Sequence, residues 1–137
     1  MLDGIDTLVT LSPQTLTRLL YLSTYIQYNS GLLVVDNQTL TKGQVCHLLH
    51  INHTTAGNFL DELTQAGVLS VNADGCHISK DYIRYGKAGK RGLVRVYASA
   101  YCSLYENTLA AKHVYIGYIL CLMPLIDTRS NIVCGKL

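Results

Sequence analysis

The sequence lacks several features that would place it in a specialised class of protein. Its 137 residues include only two prolines and eleven glycines, which excludes collagen-like and proline-rich repeat architectures. Charged residues make up 15% of the chain and apolar residues 49%, so it is not an intrinsically disordered, self-repelling tail. A chain of this length can bury a sizeable core without disulfides or a metal. The composition therefore predicts an ordinary globular protein.

Patterns for export, membrane insertion or disulfide bonding are also missing. The five cysteines are odd in number, widely spaced and form no CxxC pair, which favours reduced thiols. The most apolar stretch, residues 114–126, contains Pro124 and has 13 residues, whereas a membrane span needs about 20. The first ten residues, MLDGIDTLVT, carry acidic side chains where a signal peptide carries basic ones. We therefore expect a cytoplasmic protein that does not interact with membranes.

Positive charge is scarce in total but concentrated in one segment. The formal net charge is only +2, yet six of the eleven lysines and arginines lie between residues 80 and 95, where Asp81 is the single acid. The six are Lys80, Arg84, Lys87, Lys90, Arg91 and Arg95. Gly86, Gly89 and Gly92 favour a loop for this segment. The excess predicts a phosphate-binding surface, and the alternative is a solvated loop.

The first half of the chain reads as helix, strand and helix. Ser12-Pro13 is a helix start, because Ser caps free N–H groups and Pro tolerates the first helical position; the apolar stripe then runs to about Tyr28. Residues 32–35 are a short apolar run that ends in two β-branched valines and is typical of a strand, and residues 36–37 turn the chain. Thr41-x-x-Gln44 is a capping box that predicts the start of a second, short helix.

A third helix and a hairpin follow directly. The third helix is predicted from apolar residues at helical spacing: Ala56, Phe59, Leu60 and Leu63. Gly67 marks its C-terminal end. Asp74-Gly75 is the preferred centre of a two-residue type I′ hairpin, in which both central residues have positive φ. That turn pairs Ala73 with Cys76 and places Val71 opposite Ile78.

Two further helices are predicted after the basic segment. The first is marked by apolar positions from Val94 to Tyr105, and the second runs from about Thr108 to Leu122. Both are apolar on more than one face, as expected of helices packed against a core or a second subunit. The tail from Asp127 is predicted to be a strand or hairpin. This region is either a dimerisation element or the start of a truncated second unit, because its order of helix, polar turn and strand repeats that of residues 20–35.

The residues from Leu49 to Leu69 resemble the bacterial helix-turn-helix pattern. Residues 49–60, LHINHTTAGNFL, are similar position for position to L-G-I-S-x-S-T-V-S-R-x-L. Residues 59–69, FLDELTQAGVL, continue into x-L-x-x-L-x-x-x-G-h-h, where h is apolar. With the order of elements, roughly residues 12–80 resemble the winged helix-turn-helix domains of MarR-like regulators and of plasmid or phage replication and regulatory proteins. The resemblance implies that the third helix enters the major groove of double-stranded DNA.

The expected DNA contacts divide between the helix pair and the basic segment. Those in the helix pair are Lys42, Asn52, His53, Thr54, Thr55 and Asn58, and those after it are Lys80, Arg84, Lys87, Lys90 and Arg91. Asparagine can bond adenine in bidentate fashion, and a threonine methyl can contact a thymine methyl. The family often has arginine where this chain has Asn58, and the third helix carries Asp61 and Glu62 but no cation. Phosphate attraction must then come from Lys42 and the basic segment.

The patterns for metal binding and for catalysis are weaker than the pattern for DNA binding. Cys46 and His50 are four residues apart, as zinc ligands on a helix could be, and His47 and His53 lie nearby. The flanking apolar residues must face the core, however, and the group straddles a turn, so we expect no metal. There is no nucleophile elbow, P-loop or pair of catalytic carboxylates, which predicts no cofactor and no enzyme activity.

These observations predict a mainly α protein with a small antiparallel β wing. Residues 1–92 are the expected winged helix-turn-helix DNA-binding domain, and residues 93–137 a C-terminal helical extension. The extension has more apolar surface than a small domain can hide, which predicts a homodimer. The tyrosines expected at its interface are Tyr97, Tyr101, Tyr105, Tyr115 and Tyr118. The expected function is transcriptional regulation. The alternatives are plasmid or phage replication or partition, with the same DNA contacts, and a protein-interaction module.

Overall fold

The computed structural model describes residues 8, 10–83, 85 and 96–122, together with the backbone of residues 126–127 and 132–133. Within these residues the protein is mainly helical with small antiparallel hairpins, as the sequence predicts. Of the six cations between residues 80 and 95, the structure describes only Lys80. Arg84, Lys87, Lys90, Arg91 and Arg95 lie outside the described residues.

Helix α1 spans Pro13–Ser23 and begins as predicted. The Ser12 side chain accepts a hydrogen bond from the Thr15 N–H at 3.2 Å, and Pro13 occupies the first helical position. The prediction that the helix continues to about Tyr28 is wrong. The Thr24 hydroxyl donates to the Tyr21 carbonyl at 2.7 Å, and Ile26 pairs with Leu33 across an antiparallel bridge, so strand pairing replaces the helix after Ser23.

The next segment forms a hairpin of strands β1 (Val34–Val35) and β2 (Gln38–Thr39). Asp36 and Asn37 have φ of 50° and 63°, the left-handed values that a tight two-residue hairpin turn requires. The residues immediately before β1 pair elsewhere. The Leu33 N–H donates to the Cys76 carbonyl at 3.0 Å, and the Ile78 N–H donates to the Gly31 carbonyl at 2.8 Å. This close backbone approach leaves no room for a side chain at Gly31.

Helices α2 (Lys42–Leu49) and α3 (His53–Gln65) are followed by strands β3 (Leu69–Asn72) and β4 (Gly75–Ile78). The order confirms the predicted two helices and hairpin, and Gly67, with φ of 74°, follows the end of α3 as expected. Strand β4 lies between β3 and the segment at residues 31–33.

The hairpin register differs from the prediction. Val71 lies opposite Cys76 and Leu69 opposite Ile78, so the turn centres on Ala73 and Asp74 rather than on Asp74 and Gly75. Leu69, Cys76 and Ile78 are all buried in this register. The predicted register would have placed Leu69 opposite Lys80. The observed register therefore makes two buried apolar residues, Leu69 and Ile78, direct cross-strand neighbours, and it does not use the type I′ turn that Asp-Gly prefers locally.

The C-terminal part contains helix α4 (Ala98–Asn107), a 3₁₀ turn at Ala110–Lys112 and helix α5 (His113–Leu120). Helix α4 begins later than the prediction from Val94, and the predicted continuous helix from Thr108 begins instead with the 3₁₀ turn. Strands β5 (Ile126–Asp127) and β6 (Ile132–Val133) pair antiparallel, which confirms the hairpin alternative for the tail.

Helices α4 and α5 share one hydrophobic core with the first part of the chain. Helix α1 packs most closely on α5, where Gly117 meets the backbone of Pro13 without space for a Cβ atom. The Thr17 hydroxyl donates to the His113 carbonyl at 2.9 Å, and the Tyr101 hydroxyl donates to the Thr17 carbonyl at 2.8 Å. The C-terminal region is thus part of the structure that supports α1.

An aromatic stack continues this core. The rings of Tyr21 and Tyr105 are stacked with centroids 4.0 Å apart, and those of Tyr105 and His113 are also 4.0 Å apart. His113 Nε2 lies 2.9 Å from the Tyr105 carbonyl and 3.0 Å from that of Thr108, so this nitrogen must carry the proton. The described part of the chain has no helix with the length and apolar character needed to span a membrane.

Candidate nucleic-acid interface

The helix pair α2–α3 is fixed by capping at both of its starts. Gln44 Oε1 accepts a hydrogen bond from the Thr41 N–H at 3.0 Å, as the capping-box pattern predicts. Asn52 Oδ1 accepts from the Thr55 N–H at 2.7 Å, which confirms Asn52 as the cap of α3. Between the helices His50 adopts a left-handed conformation, with φ of 54°, and ends α2. The turn that orients α3 is therefore built from backbone and capping contacts.

Helix α3 buries one face and presents another. Ala56, Phe59, Leu60 and Leu63 are buried as their spacing predicts. His53, Thr54 and Asn58 are exposed, whereas Thr55 is half-buried. The Asn52 side chain is exposed, but its oxygen is committed to the cap. Gly57 lies on the exposed side with no atom within 4 Å of the position a Cβ would take. The outward surface of the first two turns is thus small and polar.

The two acids of α3 have different roles, which the sequence did not reveal. Glu62 accepts hydrogen bonds from the Ser12 N–H at 3.0 Å and from the Thr15 hydroxyl at 2.5 Å. Its carboxylate therefore caps the start of α1, where the helix dipole favours negative charge. Asp61 is exposed, and its position three residues after Asn58 places it on the same side of α3. One acid of the pair remains on the outward face.

Of the cations expected to contact DNA, the structure describes Lys42, at the start of this helix pair, and Lys80, beyond the hairpin. Lys42 is the exposed first residue of α2. Burial raises the pKa of the Cys76 thiol in β4, and the charge of Lys42 acts in the opposite direction. Lys80 is exposed and its Nζ donates to the Asn29 carbonyl at 3.1 Å. The expected contacts at Arg84, Lys87, Lys90 and Arg91 fall outside the described residues.

An exposed aromatic pair beside Lys80 was not assigned from the sequence. The rings of Tyr28 and Tyr85 meet edge to face with centroids 5.3 Å apart, and both side chains are exposed. The Asn29 N–H donates to the Tyr85 carbonyl at 2.8 Å, so backbone contacts hold the two segments together. The excess of ten tyrosines over one phenylalanine was the available signal, but only the fold brings these two together.

The cysteine and histidines of the helix pair do not gather around one point. Cys46 Sγ lies 3.3 Å from His53 Nδ1, a contact that links α2 to the start of α3. Across the described ranges, no group of three or more His, Cys, Asp or Glu side chains could hold a metal ion. The contact is explained by its position, since Cys46 is buried against the helix that His53 begins.

The tyrosines expected at a subunit interface separate into two groups. Tyr97, Tyr115 and Tyr118 are 68%, 61% and 56% exposed. Tyr101 and Tyr105 are only 6% and 3% exposed because they pack against α1 in the protein's own core. The assignment of Tyr101 and Tyr105 to the interface is therefore wrong. Their helical spacing results from the other possibility, packing within the protein's own core.

Comparison with known proteins adds no relative. No protein-family model matches the chain, and neither a curated protein nor a solved structure does.

Proposed function

We propose that the protein binds double-stranded DNA in a sequence-specific manner and acts as a transcriptional regulator. The observation that carries the proposal is the outward surface of α3, where His53, Thr54 and Asn58 are exposed on a helix whose opposite face is buried. A helix held in this way can lie in the major groove with its first turns against base edges. Asn58 is the residue suited to bidentate bonding with adenine.

The arrangement around α3 supports a winged helix-turn-helix. Helix α1, the short strand segment, α2, α3 and the β3–β4 hairpin follow one another in the order of that fold. Residues 31–33 form a short extended segment that hydrogen-bonds to β4, in the position that the third strand of a winged helix would take. The hairpin itself contains no lysine or arginine, so phosphate contacts in this proposal come from Lys42, Lys80 and the basic segment that follows.

The acidic character of α3 is less opposed to DNA than its sequence suggests. Glu62 is occupied by the start of α1, away from the proposed DNA surface. Asp61 remains as one negative charge on the outward side, and it would disfavour phosphates nearby. Replacing Asp61 with Asn should therefore strengthen binding to all duplexes by about twofold, because repulsion between exposed charges is worth about 0.5 kcal/mol.

We further propose that the protein acts as a homodimer through α5. Its buried face contacts α1, whereas Tyr115, Tyr118 and Ile119 of α5, with Leu122 in the turn just after it, form an exposed apolar stripe. We call these four residues the outer stripe. Residues 113–122 contain no Asp, Glu, Lys or Arg, so nothing charged interrupts it. Two stripes paired across a two-fold axis would give two α3 helices for two half-sites.

Selection of bound duplexes from a random library, followed by fluorescence anisotropy across salt concentrations, tests the DNA proposal. Affinity should fall steeply as salt rises, because phosphate contacts release counterions. Asn58→Ala should alter the preferred sequence, whereas Asn107→Ala, an exposed asparagine on α4, should leave it unchanged. The triple change Lys87→Ala, Lys90→Ala and Arg91→Ala should weaken all duplexes similarly. A flat salt response, or no binding at low salt, would contradict the proposal.

Sedimentation of the full chain tests the dimer. The wild-type protein should sediment as a dimer, and Ile119→Lys should sediment as a monomer with an unchanged circular dichroism spectrum. The control is Leu109→Lys, which places the same charge at an exposed leucine outside the outer stripe. A wild-type monomer at all concentrations would exclude the dimer.

Two alternatives remain proposals with their own observations. The exposed face of α3 lacks cations and retains Asp61, which favours a protein-interaction module. A folded protein that binds no duplex at low salt would support this alternative.

Replication or partition of a plasmid or phage genome would use the same DNA contacts, with the outer stripe free to recruit another protein. Repeated sites in the selected duplexes would favour that role over binding to a single operator.

A further inference from the structure

Two exposed tyrosines meet beyond the end of β4, outside the face of α3 that is proposed to read DNA. Tyr28 is 56% exposed and Tyr85 is 57% exposed. Their rings lie at 86° to each other with centroids 5.3 Å apart. In an edge-to-face pair the edge of one ring covers one face of the other, so flat ring surface stays open to solvent. Packing in the core therefore does not explain this pair.

The segment that carries Tyr28 is fixed by its own turn. The Gln27 N–H donates to the Leu32 carbonyl at 2.9 Å, and the Ser30 N–H donates to the Gln27 carbonyl at 3.0 Å. Asn29 has a φ of 56° within this turn, a left-handed value that asparagine adopts more readily than most residues. Tyr28 is therefore held by backbone hydrogen bonds on both sides of it.

The segment that carries Tyr85 is anchored to the core. The Ser79 N–H donates to the Val68 carbonyl at 2.8 Å, and the N–H of the buried Ile83 donates to the Ser79 carbonyl at 3.2 Å. The Asn29 N–H donates to the Tyr85 carbonyl at 2.8 Å and joins the two segments. The pair is thus preorganised, which reduces the entropy that is lost when a ligand binds.

Positive charge lies directly beside the pair. The Lys80 ammonium donates to the Asn29 carbonyl at 3.1 Å, and Asn29 is the residue whose N–H bonds Tyr85. Lys80 begins the basic segment, residues 80–95, which contains six cations and one acid, Asp81. Aromatic rings beside positive charge are the combination that binds single-stranded nucleic acid, because bases stack on the rings and phosphates meet the cation. The same charge disfavours a cationic ligand, the other class that aromatic rings bind.

We propose that Tyr28 and Tyr85 form a stacking platform for an unpaired base of single-stranded nucleic acid, and that Lys80 contacts a phosphate of the same strand. An unpaired strand is required, because a base inside a duplex already has neighbouring bases on its two faces. This function goes beyond the recognition of double-stranded DNA by α3. Lys80 is common to both proposals, whereas the two tyrosines belong only to this one.

Fluorescence anisotropy of the full chain with labelled strands tests the stacking platform. The first probe is a deoxyuridine strand of about 12 nucleotides, a length within the range of single-strand binding sites. The second has the same backbone with abasic sites in place of the bases, so it keeps the phosphates and removes the stacking. The first should bind at least about fivefold more tightly than the second at low salt. Equal affinity for the two strands, or no binding of either, would overturn the proposal.

Two further probes identify the class of ligand. A uridine strand of the same length differs from the first probe only in its 2′-hydroxyl groups, so the tighter of the two shows whether the strand is RNA or DNA. A proline-rich peptide is the competing ligand, since such peptides dock on aromatic surfaces. Shifts at Tyr28 and Tyr85 in amide NMR spectra with polyproline, and no binding of any strand, would overturn the proposal in favour of a peptide site.

Substitutions separate stacking from charge. Tyr28→Leu and Tyr85→Leu should each weaken binding of the deoxyuridine strand at least about fivefold and leave the abasic strand unchanged, because only a ring is lost. Tyr85→Phe should keep the affinity within about twofold of the wild type, since the ring is retained. Lys80→Gln should weaken both strands similarly and lower the salt dependence, because a phosphate contact is lost. Leucine variants that bind the deoxyuridine strand like the wild type would overturn the platform.

Tyr115→Leu is the matched control. Tyr115 and Tyr118 form a second exposed tyrosine pair, with centroids 6.5 Å apart, on a helix that contains no Asp, Glu, Lys or Arg. Leucine keeps that surface apolar, so the substitution should leave both affinities unchanged. An equal loss in Tyr115→Leu would mean that any exposed tyrosine contributes, and it would overturn the platform.

The two nucleic-acid proposals fail separately. Asn58→Ala should alter the preferred duplex and leave binding of the deoxyuridine strand unchanged, whereas Tyr28→Leu should do the reverse. A protein that prefers the deoxyuridine strand to the abasic strand but binds no duplex would contradict the proposed function and support the platform. A protein that binds duplex DNA but does not distinguish the two strands would overturn the platform alone.

Discussion

Two glycines inside helices should respond in opposite directions to the same substitution. Gly57 lies in α3 with open space around it, and Gly117 lies in α5 against the backbone of Pro13. Alanine at a solvent-exposed helical position gains about 1 kcal/mol over glycine, because less backbone entropy is lost on folding. Gly57→Ala should therefore raise the free energy of unfolding by about 1 kcal/mol.

Gly117→Ala adds the same methyl group where α1 and α5 touch. The new Cβ would overlap the Pro13 carbonyl, a backbone group that cannot rotate away, so the helices must separate. Overpacking of this kind costs about 1–3 kcal/mol. Separation also stretches the buried bond from Thr17 to the His113 carbonyl, which is worth about 1 kcal/mol. After the gain in helix propensity, a net loss of about 2 kcal/mol remains, or about 3 kcal/mol between the two variants.

Urea unfolding followed by circular dichroism measures both changes as shifts in midpoint at constant slope. The slope matters because a change in it would mean that the compactness of one state has changed. A Gly117→Ala protein as stable as the wild type would refute the close helix contact. A loss of stability in Gly57→Ala would refute the open surface on α3.

Three other predictions follow from contacts that cross the fold. Tyr105→Phe should raise stability to urea by about 1 kcal/mol, because a buried hydroxyl without a partner is removed; a loss of stability would mean that the hydroxyl is bonded. Glu62→Ala should lower the free energy of unfolding by about 2 kcal/mol, because the hydrogen bonds to α1 are lost. Asp61→Ala, on the exposed side of α3, should change it by less than about 0.5 kcal/mol. Burial raises the pKa of Tyr101 above the usual value of 10.0, so the folded state retains that proton more strongly than the unfolded state. The contribution of Tyr101 to stability should be constant below about pH 9 and be lost as the pH rises above 10, so thermal melts of Tyr101→Phe should show a shallower fall in this alkaline range.

The local elements of this protein were predictable because their determinants are neighbours in the chain. The start of α1 follows from Ser12 and Pro13, and that of α2 from Thr41 and Gln44, since a cap acts within one helical turn. The burial of Phe59, with the other apolar residues of α3, follows from helical spacing alone. Within the candidate interface, the exposure of His53, Thr54 and Asn58 follows from the same period.

Features that depend on distant parts of the chain were not predictable. The hairpin register pairs Leu69 with Ile78, which both pack into a core built from distant parts of the chain, and the local preference of Asp-Gly for a type I′ turn does not decide it. Tyr101 and Tyr105 have the spacing of an interface stripe, but whether such a stripe meets a second subunit or α1 depends on where α4 docks.

The sequence by itself thus determined the helices, their caps, the polar face of α3 and the concentration of positive charge after β4, because each depends on residue types a few positions apart. Only the tertiary structure decided that Glu62 faces α1, that Tyr28 meets Tyr85, and that Arg18 and Tyr105 share a cavity with the turn before α3. These features bring together residues from 32 to 87 positions apart, as from Arg18 to His50 and from Arg18 to Tyr105. No local preference encodes them, since they arise when helices that each bury an apolar face pack around one core.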